Sequence, residues 1–152
     1  MSSSSKPPER PVFFIDRSLG KNVISQALRN AHCEVKVHDE LFPQDAPDEE
    51  WLREVGRNGW IVLTKDKNIR FRELEKQALI SSKARAFVLT ARDVTGPEMA
   101  EIFVKALPKM LRILERTPGP FLARVTRGGQ VDLLEIRSLN KTPGRKKGNT
   151  LS

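Results

Sequence analysis

Short apolar segments alternate with amphipathic segments through the first 115 residues of this chain, and this order limits the possible folds. Residues 12–16, 60–64 and 86–90 are too short for helices and rich in strand-forming side chains, which predicts buried strands. Residues 34–38 alternate apolar with polar side chains, which predicts a half-buried strand. Strands separated by helices form βαβ units with right-handed crossovers, so we expect a mainly parallel sheet.

Amphipathic segments separate these strands, and the helical spacing of their apolar residues predicts helices. Ser18 is predicted to cap the first helix and Asp48 the second, which Gly56 or Gly59 would end. Pro97 is predicted to open the long last helix. The helices are expected near residues 19–31, from residue 48, and over 70–81 and 97–115.

The C-terminal part of the predicted domain has the pattern of a β-hairpin. Apolar segments at 121–126 and 131–137 flank Gly128 and Gly129, which permit the positive φ of a tight turn. We expect this hairpin to extend one edge of the sheet antiparallel. The predicted fold class is therefore α/β, with three layers: a mainly parallel central sheet, helices on both faces and a C-terminal β-hairpin.

Positive charge is concentrated at the C-terminal end of the chain. The 152 residues include 27 Lys and Arg against 19 Asp and Glu, a formal charge of +8 that favours a polyanionic partner. Residues 140–152 hold four of these cations and almost no apolar surface, so we expect a disordered basic tail. Residues 1–11 are expected to form a disordered N-terminal tail, leaving one domain at 12–139. The basic tail is interpreted as either a solubilising end or a salt-sensitive phosphate contact.

Several classes of site are excluded by composition. Cys33 is the single cysteine, which rules out an internal disulfide framework and a structural cysteine-rich zinc site. His32 and His38 flank one predicted strand and are expected at the surface or at an edge strand, which argues against a two-histidine ribonuclease. No apolar segment of about 20 residues and no secretory signal are found, so we expect a cytoplasmic protein without a membrane partner.

Aspartates stand where three predicted strands end. Asp16, Asp66 and Asp93 would meet at one edge of a parallel sheet, and Asp48 begins a helix that could reach the same edge. Clustered carboxylates repel one another, and a hard divalent ion, Mg²⁺ or Mn²⁺, relieves this repulsion. Such an ion activates water for phosphodiester cleavage. Each aspartate also has a simpler interpretation as a helix cap or turn residue, but their convergence favours a metal site.

Three stretches of the chain resemble PIN-like domains. They are VFFIDRSLG at 12–20, PDEEWL at 47–52 and GWIVLTKD at 59–66. The resemblance extends over about residues 12–90 and is closest to the compact branch that includes VapC-like toxins of toxin–antitoxin pairs. It implies a PIN-like fold and a metal-dependent endoribonuclease that uses Mg²⁺ or Mn²⁺.

The same resemblance implies which acids would hold the metal. Asp16, Asp48 and Asp66 match the motif acids, and are the predicted catalytic metal ligands. Larger family members have a further acid on a helix, for which Glu49 or Asp93 would substitute here. The residue after Asp16 is a basic one, Arg17, where the compact branch often has another acid.

Basic residues beside these acids are predicted to bind RNA phosphates; they are Arg17, Lys65, Lys67 and Arg70. The functional hypothesis is a metal-dependent endoribonuclease, the toxin of a toxin–antitoxin pair, with RNA, a cognate antitoxin protein and a second copy of the chain as partners. One alternative is a catalytically inactive RNA-binding or partner-binding module on the same fold. Another is a small response-regulator-like interaction domain.

Overall fold

A six-stranded sheet forms the centre of the fold. The structure, a computed structural model, describes residues 11–20, 22–65 and 73–134, without the side chains of 73–75. The strands are β1 Val12–Ile15, β2 Glu34–Val37, β3 Ile61–Thr64, β4 Arg85–Leu89, β5 Phe121–Val125 and β6 Val131–Leu134. Their order is β2-β1-β3-β4-β5-β6, and every pairing is parallel except the antiparallel β5–β6 hairpin. This confirms the predicted mainly parallel sheet with a hairpin at one edge.

Helices connect the strands. In the described part of the chain they are the 3₁₀ turn Arg17–Leu19, α1 Val23–Asn30, α2 His38–Leu41, α3 Asp48–Arg57, α4 Glu73–Ser81 and α5 Gly96–Arg116. Within these ranges, no helix is both long enough and apolar enough to span a membrane. Residues 1–10 of the predicted N-terminal tail, the whole predicted C-terminal tail, the last residues of the hairpin and residues 66–72 lie outside the described residues.

Alternate side chains of the strands bury two separate cores. Phe13 and Ile15 of β1 pack on one face of the sheet with residues of α1 and α5, whereas Phe14 packs on the other face with Trp51 of α3 and with α4. All of these β1 side chains are fully buried. The sheet therefore separates two helical layers, which confirms the three-layer α/β fold.

The first helix does not begin where the sequence predicts. Ser18 lies inside the 3₁₀ turn, and α1 starts at Val23 after Asn22, so the prediction that Ser18 caps this helix is wrong. The physical reason is that the Ser18 hydroxyl donates to the Asp16 carboxylate instead of accepting from a helical backbone N–H. The chain thus makes a tight turn immediately after β1.

The boundaries of α3 also differ in detail. Pro47 occupies the N-cap position and Asp48 is the first helical residue, so the prediction of Asp48 as a cap is wrong by one position. The helix runs past Gly56 to Arg57, and Gly59 follows with a φ of +72°. Of the two glycines predicted to end α3, only Gly59 lies beyond the helix. Its left-handed backbone is a conformation that glycine adopts readily.

The carboxyl ends of β1, β3, β4 and β5 lie at the same edge of the sheet. The registers pair Ile15 with Leu63, Thr64 with Val88, and Leu89 with Val125. The loops after these strands therefore meet along this edge, which we call the carboxyl edge. Ligands of open parallel sheets bind at this kind of edge.

Candidate active site

Asp16 directly follows β1 at the carboxyl edge, and its side chain is only 3% exposed. Its backbone N–H donates to the Leu63 carbonyl over 3.0 Å, which extends the β1–β3 pairing by one residue. The hydroxyls of Ser18 and Thr64 each donate to Asp16 Oδ2 over 2.7 Å. The Ser18 hydroxyl also accepts from the Lys65 backbone N–H over 3.2 Å. Asp16 is therefore held in one orientation by a group of β3 and a group of the turn that follows β1.

The Asp16 carboxylate has hydrogen bonds but no counter-charge in the described part of the chain. None of the ion pairs formed there includes Asp16. Both hydroxyls bind Oδ2, and neither of them occupies Oδ1. A buried carboxylate is costly unless a cation or several hydrogen bonds compensate it. This arrangement suits a hard cation, because carboxylate oxygens are the preferred ligands of Mg²⁺ and Mn²⁺.

Asp48 lies beside Arg17, the residue that follows Asp16. Arg17 Nη2 is 3.3 Å from Asp48 Oδ1, and Arg17 Nη1 donates to the carbonyl of Gln44. The Asp48 side chain is only 10% exposed, whereas the Arg17 side chain is 38% exposed. One arginine therefore links the turn after β1 to the first turn of α3.

An aromatic contact fixes the start of α3 against β1. The Phe14 and Trp51 rings stack with their centroids 5.3 Å apart, and Trp51 is 1% exposed. The indole N–H of Trp51 donates to Asp48 Oδ1 over 2.9 Å. Asp48 Oδ1 is thus bound from the core by Trp51 and from the surface side by Arg17. This packing brings Asp48 within reach of a side chain adjacent to Asp16.

The other predicted ligands lie in different surroundings. Glu49 is half-buried in the first turn of α3, and Asp93 is exposed in the loop after β4 with a φ of +56°. Within the ranges that the structure describes, no group of three or more His, Cys, Asp or Glu side chains is arranged to hold a metal ion. Asp66 lies outside those ranges, as do the predicted RNA-binding residues Lys67 and Arg70. Exposed Lys65 follows β3 at the carboxyl edge.

Ser18 and Thr64 are site residues that the sequence analysis did not single out. Both hydroxyls contact Asp16, yet they are 46 positions apart in sequence. Their positions in the sequence could have indicated them. Ser18 lies two positions after Asp16, and Thr64 is the polar last residue of a strand whose other residues are apolar. A buried hydroxyl needs a hydrogen-bond partner, and a carboxylate at the same edge supplies one.

The histidines and the cysteine are outside this site. His38 is fully buried and packs against the rings of Phe14, Phe42 and Trp51. Of its two predicted placements, the surface is therefore wrong, whereas the residue does lie directly after an edge strand, β2. The reason is that His38 is the first residue of α2, where its ring packs within this aromatic cluster. His32 is exposed, with a φ of +70°. Burial raises the pKa of the half-buried Cys33 thiol, which makes it a poor nucleophile.

Comparison with known proteins identifies the family. The PIN like domain family matches residues 11–91, more than half of the chain. The chain belongs to the PIN-like domain family. A protein of Mycobacterium tuberculosis strain H37Rv named "Putative ribonuclease VapC45" is 31% identical to this PIN-like protein over 116 residues, which is 74% of this chain and 83% of that protein. No solved structure matches this chain at a significant level.

The family match includes the residues of the candidate site. The matched range of this PIN-like domain contains Asp16, Asp48 and Asp66, the three acids on which the resemblance depends. PIN-like domains with ribonuclease activity use divalent metal ions. The described residues fit such an ion, since the buried Asp16 carboxylate offers oxygen atoms whose side-chain hydrogen-bond donors are both neutral hydroxyls.

Proposed function

We propose that this PIN-like domain is a metal-dependent endoribonuclease that acts as the toxin of a toxin–antitoxin pair. One observation supports the proposal above all: the buried Asp16 carboxylate at the carboxyl edge accepts from two neutral hydroxyls and has no ion-pair partner in the described residues. The name of the mycobacterial relative supports the same activity and the toxin role. The substrate would be RNA, cleaved at phosphodiester bonds, in the cytoplasm.

Asp16, Asp48 and Asp66 are the proposed catalytic residues, and they would hold Mg²⁺ or Mn²⁺, with Glu49 or Asp93 as a further ligand. When bound, the ion supplies an activated water and stabilises the leaving oxygen of the phosphodiester. Ser18 and Thr64 fix the orientation of the Asp16 carboxylate through their hydrogen bonds. This orientation is set before substrate arrives, because Thr64 ends β3 and Ser18 lies in the turn that directly follows β1.

Basic residues at the same edge would place the RNA. Lys65 follows β3 directly and is exposed, and Arg17 lies next to Asp16 with more than a third of its side chain exposed. Lys67 and Arg70 follow in sequence and are proposed to act with them. Contacts of this kind bind phosphates without reading the base sequence. A cognate antitoxin and a second copy of the chain are the proposed protein partners.

Cleavage of RNA in vitro tests the activity. The full-length protein is incubated with a labelled single-stranded RNA and Mg²⁺ or Mn²⁺, and the products are separated on a denaturing gel. We expect cleavage by the wild type, at least a hundredfold less by Asp16→Asn, and none in EDTA. Asp132→Asn is the matched control, because it removes an exposed carboxylate on β6 and should cleave normally. Equal cleavage by wild type and Asp16→Asn, or cleavage that persists in EDTA, would refute the proposed mechanism.

Expression in a bacterial host tests the toxin role separately. We expect growth arrest on induction of the wild type and normal growth on induction of Asp66→Ala at the same protein level. Growth arrest that persists with Asp66→Ala would show that toxicity does not depend on the proposed acid site.

A non-catalytic module on the same fold is the second candidate. The ion pair between Asp48 and Arg17 favours it, because the pair neutralises one of the proposed metal ligands. This alternative predicts an RNA gel shift at low salt without cleavage in the presence of any divalent metal.

A further inference from the structure

An exposed basic residue follows each of the four parallel strands that end at the carboxyl edge. β1, β3, β4 and β5 lie in this order in the sheet, and the basic residue stands within three positions of each strand end. These residues are Arg17, Lys65, Arg92 and Arg127. The first two lie beside the proposed metal site, whereas Arg92 and Arg127 lie farther along the same edge.

A hydrogen bond joins the two loops that carry Arg92 and Arg127. Arg127 Nη2 donates to the Arg92 backbone carbonyl over 2.6 Å, although the residues are 35 positions apart in sequence. The strands below are paired up to this point, because the Thr90 backbone N–H donates to the Val125 carbonyl over 2.9 Å. One framework therefore presents both arginines.

Two lysines of α5 lie beside the same hairpin turn. The aliphatic part of Lys105 packs against Gly129, where an added Cβ would lie 3.1 Å from it, and Lys109 Nζ donates to Gln130 Oε1 over 3.1 Å. Together with the two arginines they form a set of cations that we call the distal basic cluster: Arg92, Lys105, Lys109 and Arg127. Clustered charge of one sign attracts a polyanion to this part of the edge.

The arginines of the distal basic cluster keep donors for an external anion. None of the ion pairs within the described part of the chain includes Arg92 or Arg127. The pKa of the nearby Glu98 is lowered first by its hydrogen bonds with Thr95 and less by the charge of Arg127, and its carboxylate accepts from the Thr95 N–H over 2.8 Å. A guanidinium has five N–H donors, and its planar fork matches the oxygens of a phosphate.

We propose that Arg92 and Arg127 form a second phosphate-binding site, which binds the backbone of single-stranded RNA away from the bond that is cleaved at Asp16. The inference rests on the proposed ribonuclease function and extends its substrate along the edge. Neighbouring strands lie about 4.8 Å apart, so the end of β5 is about 14 Å from the end of β1. Neighbouring phosphates of one RNA strand are closer together than this, so the two sites hold different nucleotides.

The salt dependence of RNA binding tests this inference without any measurement of cleavage. A labelled oligouridylate of about 12 nucleotides is titrated with the full-length protein in EDTA, and fluorescence anisotropy gives the affinity at several salt concentrations. Each phosphate contact to a single strand contributes about 0.7 to the slope of log affinity against log salt. We therefore expect the slope to fall by about 1.4 in the double variant Arg92→Gln with Arg127→Gln.

Two further variants and a charge-matched control make the result specific. Arg92→Gln alone should lower the slope by about 0.7, and it keeps the bond from Arg127, which ends on the Arg92 backbone carbonyl. Arg92→Lys with Arg127→Lys should keep the wild-type slope, because both charges remain. Arg53→Gln with Arg57→Gln removes the same charge from exposed positions of α3, on the other face of the sheet from α5, and should also keep it.

The possible outcomes separate this inference from the proposed function. An unchanged slope in Arg92→Gln and in the double variant, or an equal fall in the α3 control, would overturn the second phosphate site while RNA cleavage at Asp16 stands. Normal RNA binding by the double variant, with loss of binding to poly-glutamate, would show a surface for an acidic protein and would also overturn the inference. No RNA binding by the wild type would overturn both proposals.

Discussion

Replacement of Thr64 by valine isolates the hydrogen bonding that orients Asp16. Thr64 is fully buried, and valine has nearly the same shape, so Thr64→Val removes a hydroxyl without opening a cavity. The lost bond is 2.7 Å long and ends on a carboxylate that is itself 3% exposed. A hydrogen bond to a charged group contributes about 1.5–3 kcal/mol, and the loss of one of two donors to a buried carboxylate oxygen lies in the upper part of that range. We therefore expect Thr64→Val to lower the free energy of unfolding by about 2–3 kcal/mol.

Thr64→Ser is the control, because it keeps the hydroxyl and removes one methyl group. Its expected loss is about 1 kcal/mol, from reduced apolar burial. Urea unfolding followed by circular dichroism, in EDTA at neutral pH, measures both variants without interference from bound metal. The expected order of stability is wild type, then Thr64→Ser, then Thr64→Val. Equal stability of wild type and Thr64→Val would refute the view that Thr64 compensates the buried charge of Asp16.

Three further substitutions test other parts of the fold. Gly56→Ala should destabilise by about 1–3 kcal/mol in urea unfolding, because a Cβ there would lie 2.8 Å from the Ser82 carbonyl oxygen, and unchanged stability would contradict the close α3–α4 approach. His38→Leu should raise stability by about 1 kcal/mol, because the buried Nε2 has no hydrogen-bond partner in the described residues, and a loss of stability would show that the imidazole has a structural role. The backbone and side-chain hydrogen bonds with Thr95 lower the pKa of Glu98 below the usual 4.5. The stabilisation from its charge is therefore present at neutral pH and is lost as the pH falls through that lowered pKa. The stability difference between wild type and Glu98→Gln should vanish in acid, and a difference that is constant with pH would contradict this.

Much of the fold could be predicted from local patterns. Strand β1 is continuously apolar, and β3 and β4 are apolar apart from Thr64 and Arg85 at their ends, which is typical of parallel strands buried on both faces. The helix α2 was not predicted, because a single turn of four residues has no periodicity to detect. Ser18 has the sequence signature of an N-cap, but its hydroxyl instead contacts Asp16, two positions away, and Thr64, 46 positions away.

The carboxyl edge was predictable, whereas the contacts within it were not. The sequence placed Asp16 at the end of a predicted strand, and parallel topology brings the residues that follow such strands to one edge of the sheet. The pairing of Arg17 with Asp48 spans 31 positions and depends on the stacking of Phe14 on Trp51, which joins β1 to α3. The burial of His38 depends on the same aromatic packing. Neither contact has a local signal, because each is created by tertiary packing.

We propose that Asp16 is the cation-binding carboxylate of a metal-dependent ribonuclease. The most direct measurement is the change in unfolding free energy on adding Mn²⁺ to the metal-free protein, for the wild type and Asp16→Asn. At a Mn²⁺ concentration about a hundredfold above its dissociation constant, the wild type should gain about 2.7 kcal/mol, and Asp16→Asn should gain nothing at the same concentration. An equal gain in both proteins, or no gain in the wild type at any Mn²⁺ concentration, would contradict cation binding by Asp16.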